Sequence, residues 1–87
     1  MTFEFDENKS KINEEKHGIN FIEAQKLFFL THNKIKKAKT IDNEFRYSIS
    51  GFIDEKCWTC IFTLRKDKIR IISVRRCRDK EKKELLW

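Results

Sequence analysis

The residues of this 87-residue chain best suited to chemistry are its arginines and one histidine. The run Ile69-Arg70-Ile71-Ile72-Ser73-Val74-Arg75-Arg76 reads as a strand and ends on an arginine pair. A guanidinium offers a planar fork that grips two phosphate oxygens at once, so arginines fixed at a strand end are built to hold phosphate. Neighbouring strand residues face opposite ways, so Arg75 and Arg76 should point to opposite faces and only one of them belongs in a given site. Arg46 and Arg65 stand on other strand-like stretches and could converge on the same phosphate. Arg70, which shares the alternation of Ile72 and Val74, reads instead as half of an ion pair at the core edge. His17 has an ordinary pKa of about 6.5, which suits proton transfer near neutral pH. Just before Gly18 it would sit at a helix C-terminus, where the dipole favours the protonated ring and hence the acid role. The same position explains it equally well as a helix cap. Lys16 beside it is placed to touch phosphate. Glu23 reads either as a base or as the second half of a capping box.

Charge is distributed unevenly behind these residues. Residues 1–63 carry ten Lys/Arg and ten Asp/Glu, whereas residues 64–87 carry ten and four, so the whole net charge of +6 sits in the last 24 residues. Such asymmetry points to a polyanionic partner, a nucleic acid or an anionic membrane face. For Lys66, Lys68, Lys80, Lys82 and Lys83 simple solvation is an equal reading.

Composition narrows the chemistry. The length allows one domain over residues 1–87 with one small core and no room for a deep cofactor-binding unit. No paired carboxylates have metal-site spacing and no glycine-rich phosphate loop exists, so no cofactor and no metal are expected. Three cysteines without a secretion signal do not read as a disulfide framework. Cys57-Trp58-Thr59-Cys60 has the CxxC spacing, but on a strand those thiols face opposite ways and cannot readily share a metal. Cys60 and Cys77 are expected as small core residues. No apolar run approaches the ~20 residues that span a bilayer, and Thr2-Phe3-Glu4-Phe5-Asp6 is not a signal sequence, so a bacterial-type cytoplasm and no membrane partner are expected.

Positioning the arginines requires a sheet. Phe3 and Phe5 alternate as a short strand, and Asp6 can cap a helix running to about Lys16 with Ile12 as its firm apolar position. A second helix starts at Asn20, where Asn20 and Glu23 have capping-box spacing and Phe21, Ala24, Leu27 and Phe28 recur at helical intervals. Residues 32–39 are lysine-rich without a period and read as an exposed connection, with His32 inert in it. Three antiparallel strands follow over residues 45–53, 57–65 and 68–76, joined by hairpins at Asp54-Glu55-Lys56 and Lys66-Asp67. Trp58, Cys60, Phe62 and Leu64 share one face of the second of these, and Ile72 and Val74 turn inward on the third. From Asp79 the composition is helical and ends on Leu85-Leu86-Trp87, an apolar tip that needs burial. The eight phenylalanines should supply much of the core. Tyr47 could stack on a base, whereas Trp58 reads as core.

Taken in order, Phe3-Glu4-Phe5-Asp6, Asn13 before Lys16-His17-Gly18-Ile19, Phe21-Ile22-Glu23-Ala24, Glu44-Phe45-Arg46, Phe62-Thr63-Leu64-Arg65 and Ile69 to Arg76 resemble the BrnT family of type II toxin-antitoxin systems. The resemblance spans residues 3–77, and the Lys-His-Gly and Ile-Ile-Ser-x-Arg-Arg elements together make it specific. It implies an α+β, RelE-like fold with two N-terminal helices packed on a small antiparallel sheet and a short C-terminal helix. It also implies a ribonuclease that inhibits translation, neutralised by a BrnA-like antitoxin with a ribbon-helix-helix part that alone contacts operator DNA. The chain departs from the family pattern at Phe5, at Leu30-Thr31-His32-Asn33, at Ile49-Ser50-Gly51 and at Leu85-Leu86-Trp87.

RNA carries its own nucleophile, the 2'-hydroxyl, so a small protein can cut it with oriented groups, proton transfer and positive charge on the phosphorane. The expected catalytic set is His17, Lys16, Arg65, Arg75 and Arg76, with Arg46, Lys9, Lys66 and Arg78 binding the strand. The expected product end is a 2',3'-cyclic phosphate. A basic module that binds nucleic acid or a partner without turnover is the alternative.

Overall fold

A computed structural model describes residues 1–86. The elements run β1 (Thr2–Glu4), α1 (Glu7–His17), α2 (Phe21–Ala24), a 3-10 turn (Gln25–Phe29), β2 (Lys34–Lys37), β3 (Arg46–Ile53), β4 (Lys56–Arg65), β5 (Lys68–Arg76) and α3 (Asp79–Leu85). The α+β class expected from the sequence is found. The sheet, however, is larger than the antiparallel one expected and is mixed: five strands in the order β1-β5-β4-β3-β2, with β1 parallel to β5. Strand β2 lies inside the segment expected to be an open connection. Its residues Lys34 to Lys37 pair with Ser50 to Tyr47, yet all four stay exposed on the sheet edge, so no periodicity of burial marks them. Charged, lysine-rich edges of this kind also resist pairing with another chain.

Turns set the register. Asp54 and Glu55 both take positive φ (49° and 70°) between Ile53 and Lys56, the geometry of a two-residue primed hairpin turn. Asp42 and Asn43 do the same (50° and 61°) between the bridged residues Ile41 and Glu44.

The helical layer differs from expectation in the way it is held. Helix α1 is capped by the Asp6 carboxylate, which accepts from the Lys9 amide at 3.0 Å, and ends at Gly18 in the left-handed region at φ 81°. Ile12, expected in the core, is 55% exposed; the buried residues of α1 are Ser10 and Asn13. They dock the helix by hydrogen bonds. The Asn13 amide donates to the Val74 and Ile19 carbonyls and its oxygen accepts from the Val74 amide, so it stands in for a strand on the edge of β5 beyond β1. Ser10 accepts from the Phe21 amide. The capping box at Asn20 and Glu23 is present, but α2 lasts one turn before tightening into the 3-10 turn, so one full N-terminal helix, not the two expected, packs on the sheet.

Core residues come from both layers: Ile19, Phe21, Ala24 and Leu27 against Ile49, Trp58, Cys60, Phe62, Ile71 and Val74. Phe21 and Phe62 are buried and Phe28 packs edge-on to Phe62 and Phe3, whereas Phe29 and Phe45 are exposed. A Cβ on Gly51 would lie 2.6 Å from Leu30 Cδ1 and 3.2 Å from Leu27 Cδ2, so glycine lets the 3-10 turn settle onto β3. Leu64 continues the Trp58-Cys60-Phe62 alternation but is 56% exposed.

Strand parity and cysteine pairing also depart from expectation. The register of β4 against β5 shifts between Ile61, opposite Ser73, and Phe62, opposite Ile71, leaving Ile72 as the extra residue of a bulge. Ile71 and Val74 therefore point inward, not Ile72 and Val74. Cys57 and Cys77 form a disulfide, while Cys60 is a free buried thiol, and burial pushes its pKa up to about 12. Leu85 of the C-terminal tip is buried and Leu86 exposed; Trp87 lies outside the described residues.

Candidate nucleic-acid interface

One sheet face carries the core; the other is polar. Cross-strand partners share a face, so the register writes out the polar one row by row. One row is Lys34, Ser50, Thr59, Arg75; the next is Lys36, Ser48, Ile61, Ser73; a third is Arg46, Thr63, Arg70, Glu4. The bulge at Ile72 is what brings Arg70 and Arg75 to the same side. Five residues apart on an unbroken strand, they would oppose each other.

Helix α3 crosses the first row and is fastened along its length. The Arg75 guanidinium donates to both carboxylate oxygens of Glu81, at 2.8 and 3.0 Å. Glu81 also accepts from the Arg78 amide at 2.7 Å and from the Thr59 hydroxyl at 3.1 Å, and Thr59 in turn lies 2.7 Å from the Ser50 hydroxyl. Lys36 pairs with Glu84 at 3.0 Å. The His32 ring donates to the Leu85 carbonyl, and the Cys57–Cys77 disulfide ties the segment leading into α3 to β4. His32 is therefore a strut, not an inert loop residue. The hydrogen bonds from Arg75 hold the Glu81 carboxyl at about 2, below its usual 4.5, against the opposing pull of burial.

Beside α3 the polar face opens into a groove of about 510 Å3. Its lining carries seven cations, Lys34, Lys36, Lys37, Lys39, Arg75, Arg78 and Lys80, against the two carboxylates of Glu81 and Glu84. Cationic concavities of this sort concentrate polyanions. Four of those cations come from residues 34–39, a segment that reads in sequence as a plain connection. Their signal was the density of lysines; their alignment needed the pairing of β2 with β3.

The residues expected to act fall into two groups. Arg75 and Arg78 line the groove. Arg76 points to the helix-bearing face, its guanidinium 5.4 Å from the Trp58 ring and its Nε donating to the Cys57 carbonyl. Lys16 and His17 end α1 and are exposed. Since Asn13 is bonded to Val74, His17 lies one turn, ~6 Å, further along α1. Gly18 next to it shares a shallow pocket with Trp58, the partner of Arg76, so His17 belongs to the Arg75–Arg76 end of the sheet. Arg65 and Lys66 belong to the other end. Arg65 opposes Lys68, seven residues along β4 from Trp58 or ~23 Å, and pairs with Glu44 at 3.0 Å. Arg46 lies two residues of register from that end, and Lys9 sits exposed in the first turn of α1. Arg70 does form an ion pair, with Glu4 at 3.5 Å, but on the polar face and not at the core edge. Glu23 is engaged in its capping box, bonded to the Asn20 amide at 3.2 Å. Tyr47 stacks on Phe62.

Among the described residues no helix is long and apolar enough to cross a membrane. A mixed sheet with one buried face and one cationic, hydroxyl-rich face under a short charged helix defines a small α+β protein with an anion-receiving groove. The chain belongs to the family described as the ribonuclease toxin, BrnT, of type II toxin-antitoxin systems, whose model matches residues 5–81. No curated protein matches the chain. Membership makes RNA the substrate class and an antitoxin the partner.

Proposed function

We propose that this toxin cuts RNA in the groove beneath α3 by attack of a 2'-hydroxyl on the adjacent phosphorus, without a metal. The observation that carries the reading is the Arg75–Glu81 pair at the end of a groove with seven cations and two carboxylates. Arg75 has the fork to hold the scissile phosphate and the charge to stabilise a phosphorane. Glu81 takes the proton of the 2'-hydroxyl, the 2'-oxygen bonds to phosphorus, and the bond to the 5'-oxygen breaks. A 2',3'-cyclic phosphate and a 5'-hydroxyl result.

Substrate couples the two roles. Glu81 is a poor base while Arg75 grips it, since that hydrogen bonding is the largest cause of its low pKa. When Arg75 turns to phosphate, the pull is released and the carboxylate becomes more basic. The leaving 5'-oxygen takes its proton from water, and His17, with Lys16 beside it, binds the RNA strand at the outer edge of β5 where it leaves the groove. Arg76 braces this end through Trp58, while Arg65 and Lys66 contact the strand at the far end. In the cell, cleavage of messages would halt translation in the bacterial cytoplasm, and a ribbon-helix-helix antitoxin would silence the toxin by covering the groove.

The alternative is a binding module without turnover. It draws on the same pair, because a carboxylate held by two arginine bonds and a threonine is also what a purely structural ion pair looks like. A Glu81→Gln variant separates the readings: loss of cleavage with retained RNA binding fits catalysis, and absence of cleavage by the wild-type protein, folded and RNA-bound, fits the module.

A further inference from the structure

Away from α3, the third row of the polar face holds an arginine with no partner. Among the described residues the Nε of Arg46 is the one buried side-chain nitrogen or oxygen without a hydrogen-bond partner, and Arg46 forms no ion pair. Its situation differs from that of Arg65, Arg70 and Arg75, each of which is matched by a glutamate. Buried polar groups in folded proteins are nearly always satisfied, so a guanidinium that finds no acceptor within the chain is an exception that asks for a reason.

The register supplies the rest of the site. Arg46 and Arg70 both oppose Thr63, one from β3 and one from β5, and so stand two strand spacings apart, ~10 Å between Cα atoms. Side chains of that length reach a common point above Thr63. Thr63 itself donates its hydroxyl to the Phe45 carbonyl at 2.7 Å and adds no donor, leaving both arginines as the source of positive charge. Arg70 is held only by the long 3.5 Å contact to Glu4, on the side away from Arg46, and can turn. Two like charges thus flank Thr63 on one face of the sheet. An anion placed there relieves their repulsion and gives the Arg46 guanidinium the counter-charge that no glutamate supplies.

We propose that Arg46 and Arg70 form a second phosphate site, which holds the RNA backbone at a nucleotide removed from the one gripped by Arg75. The inference rests on the RNA reading of the groove. Thr59, opposite Arg75, and Thr63, opposite Arg46 and Arg70, lie four residues apart on β4, ~13 Å, so the RNA strand runs along β4 from one site to the other. The ribose and base between them pass over Ser48, Ile61 and Ser73.

The probe is a 2'-O-methyl RNA heptamer, which cannot be cut, with its affinity measured from low to moderate salt for the whole chain. Each phosphate contact on a single strand adds about 0.7 to the slope of log affinity against log salt. Arg46→Gln is expected to lower that slope by about 0.7, Arg46→Lys to keep the slope while weakening binding, and a two-nucleotide probe to be bound alike by all three proteins. If Arg46→Gln is poorly folded by circular dichroism, Arg70→Gln gives the same readout, with Glu4→Gln as the control for the lost ion pair. An unchanged heptamer slope in folded Arg46→Gln or Arg70→Gln overturns the second site while leaving the groove intact. Failure of the wild-type protein to bind the heptamer overturns the groove reading and this site together.

Discussion

Arg75 and Glu81 meet through two parallel hydrogen bonds, 2.8 and 3.0 Å long, joining the end of β5 to the first turn of α3. The contact fixes the helix over the sheet, and it sets a cation and a carboxylate side by side on the groove lining. The same two side chains thus serve the fold and the proposed chemistry, and each role has its own measurable signature.

The pH dependence of stability reports the structural role. Glu81 has its carboxyl lowered from 4.5 to about 2 in the folded protein. A depressed carboxyl stabilises the fold fully above its unfolded value and loses that contribution as pH falls through the folded one. Wild-type stability in urea should therefore decline as pH drops from about 4.5 towards about 2. Glu81→Gln should be less stable at neutral pH and should lack that part of the decline. Identical acid profiles for the two proteins would count against the ion pair.

Asn13 tests how α1 is attached. Replacing it with Leu removes three buried hydrogen bonds to Val74 and Ile19 and leaves backbone groups unsatisfied. At ~1–3 kcal/mol for each stranded group, partly offset by added apolar surface, the loss should be about 3 kcal/mol in urea unfolding. Ile12→Ser, by contrast, should change stability by less than about 0.5 kcal/mol, because Ile12 is exposed.

This contrast shows where the sequence was readable. Local signals carried the three long strands, the Asp6 and Asn20 caps, the Gly18 stop and the opposite facing of Arg75 and Arg76. Each depends on neighbours within a few residues. What failed depends on distant chain. Strand β2 exists only because β3 offers it an edge, and Ser10 and Asn13 look like surface residues until Phe21 and Val74 arrive beside them. The Ile72 bulge inverts the parity of half of β5, which no alternation count could anticipate, and that inversion puts Arg70 on the polar face. Glu81 gave no sign in sequence of its place on the groove lining, because there it is one more charge on a charged helix.

The disulfide also makes a definite prediction. Cys57 and Cys77 are 20 residues apart, and closing a loop of that size stabilises a fold by about 3 kcal/mol. Cys77→Ser, or reduction of the wild-type protein, should lower the unfolding free energy by roughly that amount. Cys60 should resist alkylation at neutral pH until the protein unfolds, since its buried thiol stays protonated up to about 12. Rapid labelling of Cys60 in the folded state would contradict its burial.

Masking of the groove by the antitoxin can be checked by competition. RNA should compete with a cognate antitoxin for the wild-type toxin, and an antitoxin that covers the lining cations should bind Arg75→Ala and Lys36→Ala variants less tightly. Equal antitoxin affinity for all three proteins would place its contact elsewhere.

The central claim is tested most directly by incubating a labelled RNA with the purified protein in EDTA, beside Arg75→Ala, Glu81→Gln and His17→Ala. Cleavage that survives EDTA, leaves cyclic-phosphate ends and falls by about 10²–10³ in Arg75→Ala and Glu81→Gln, with folding intact, is the predicted result. Cleavage that needs a divalent metal, or that proceeds at the wild-type rate in both groove variants, would contradict it.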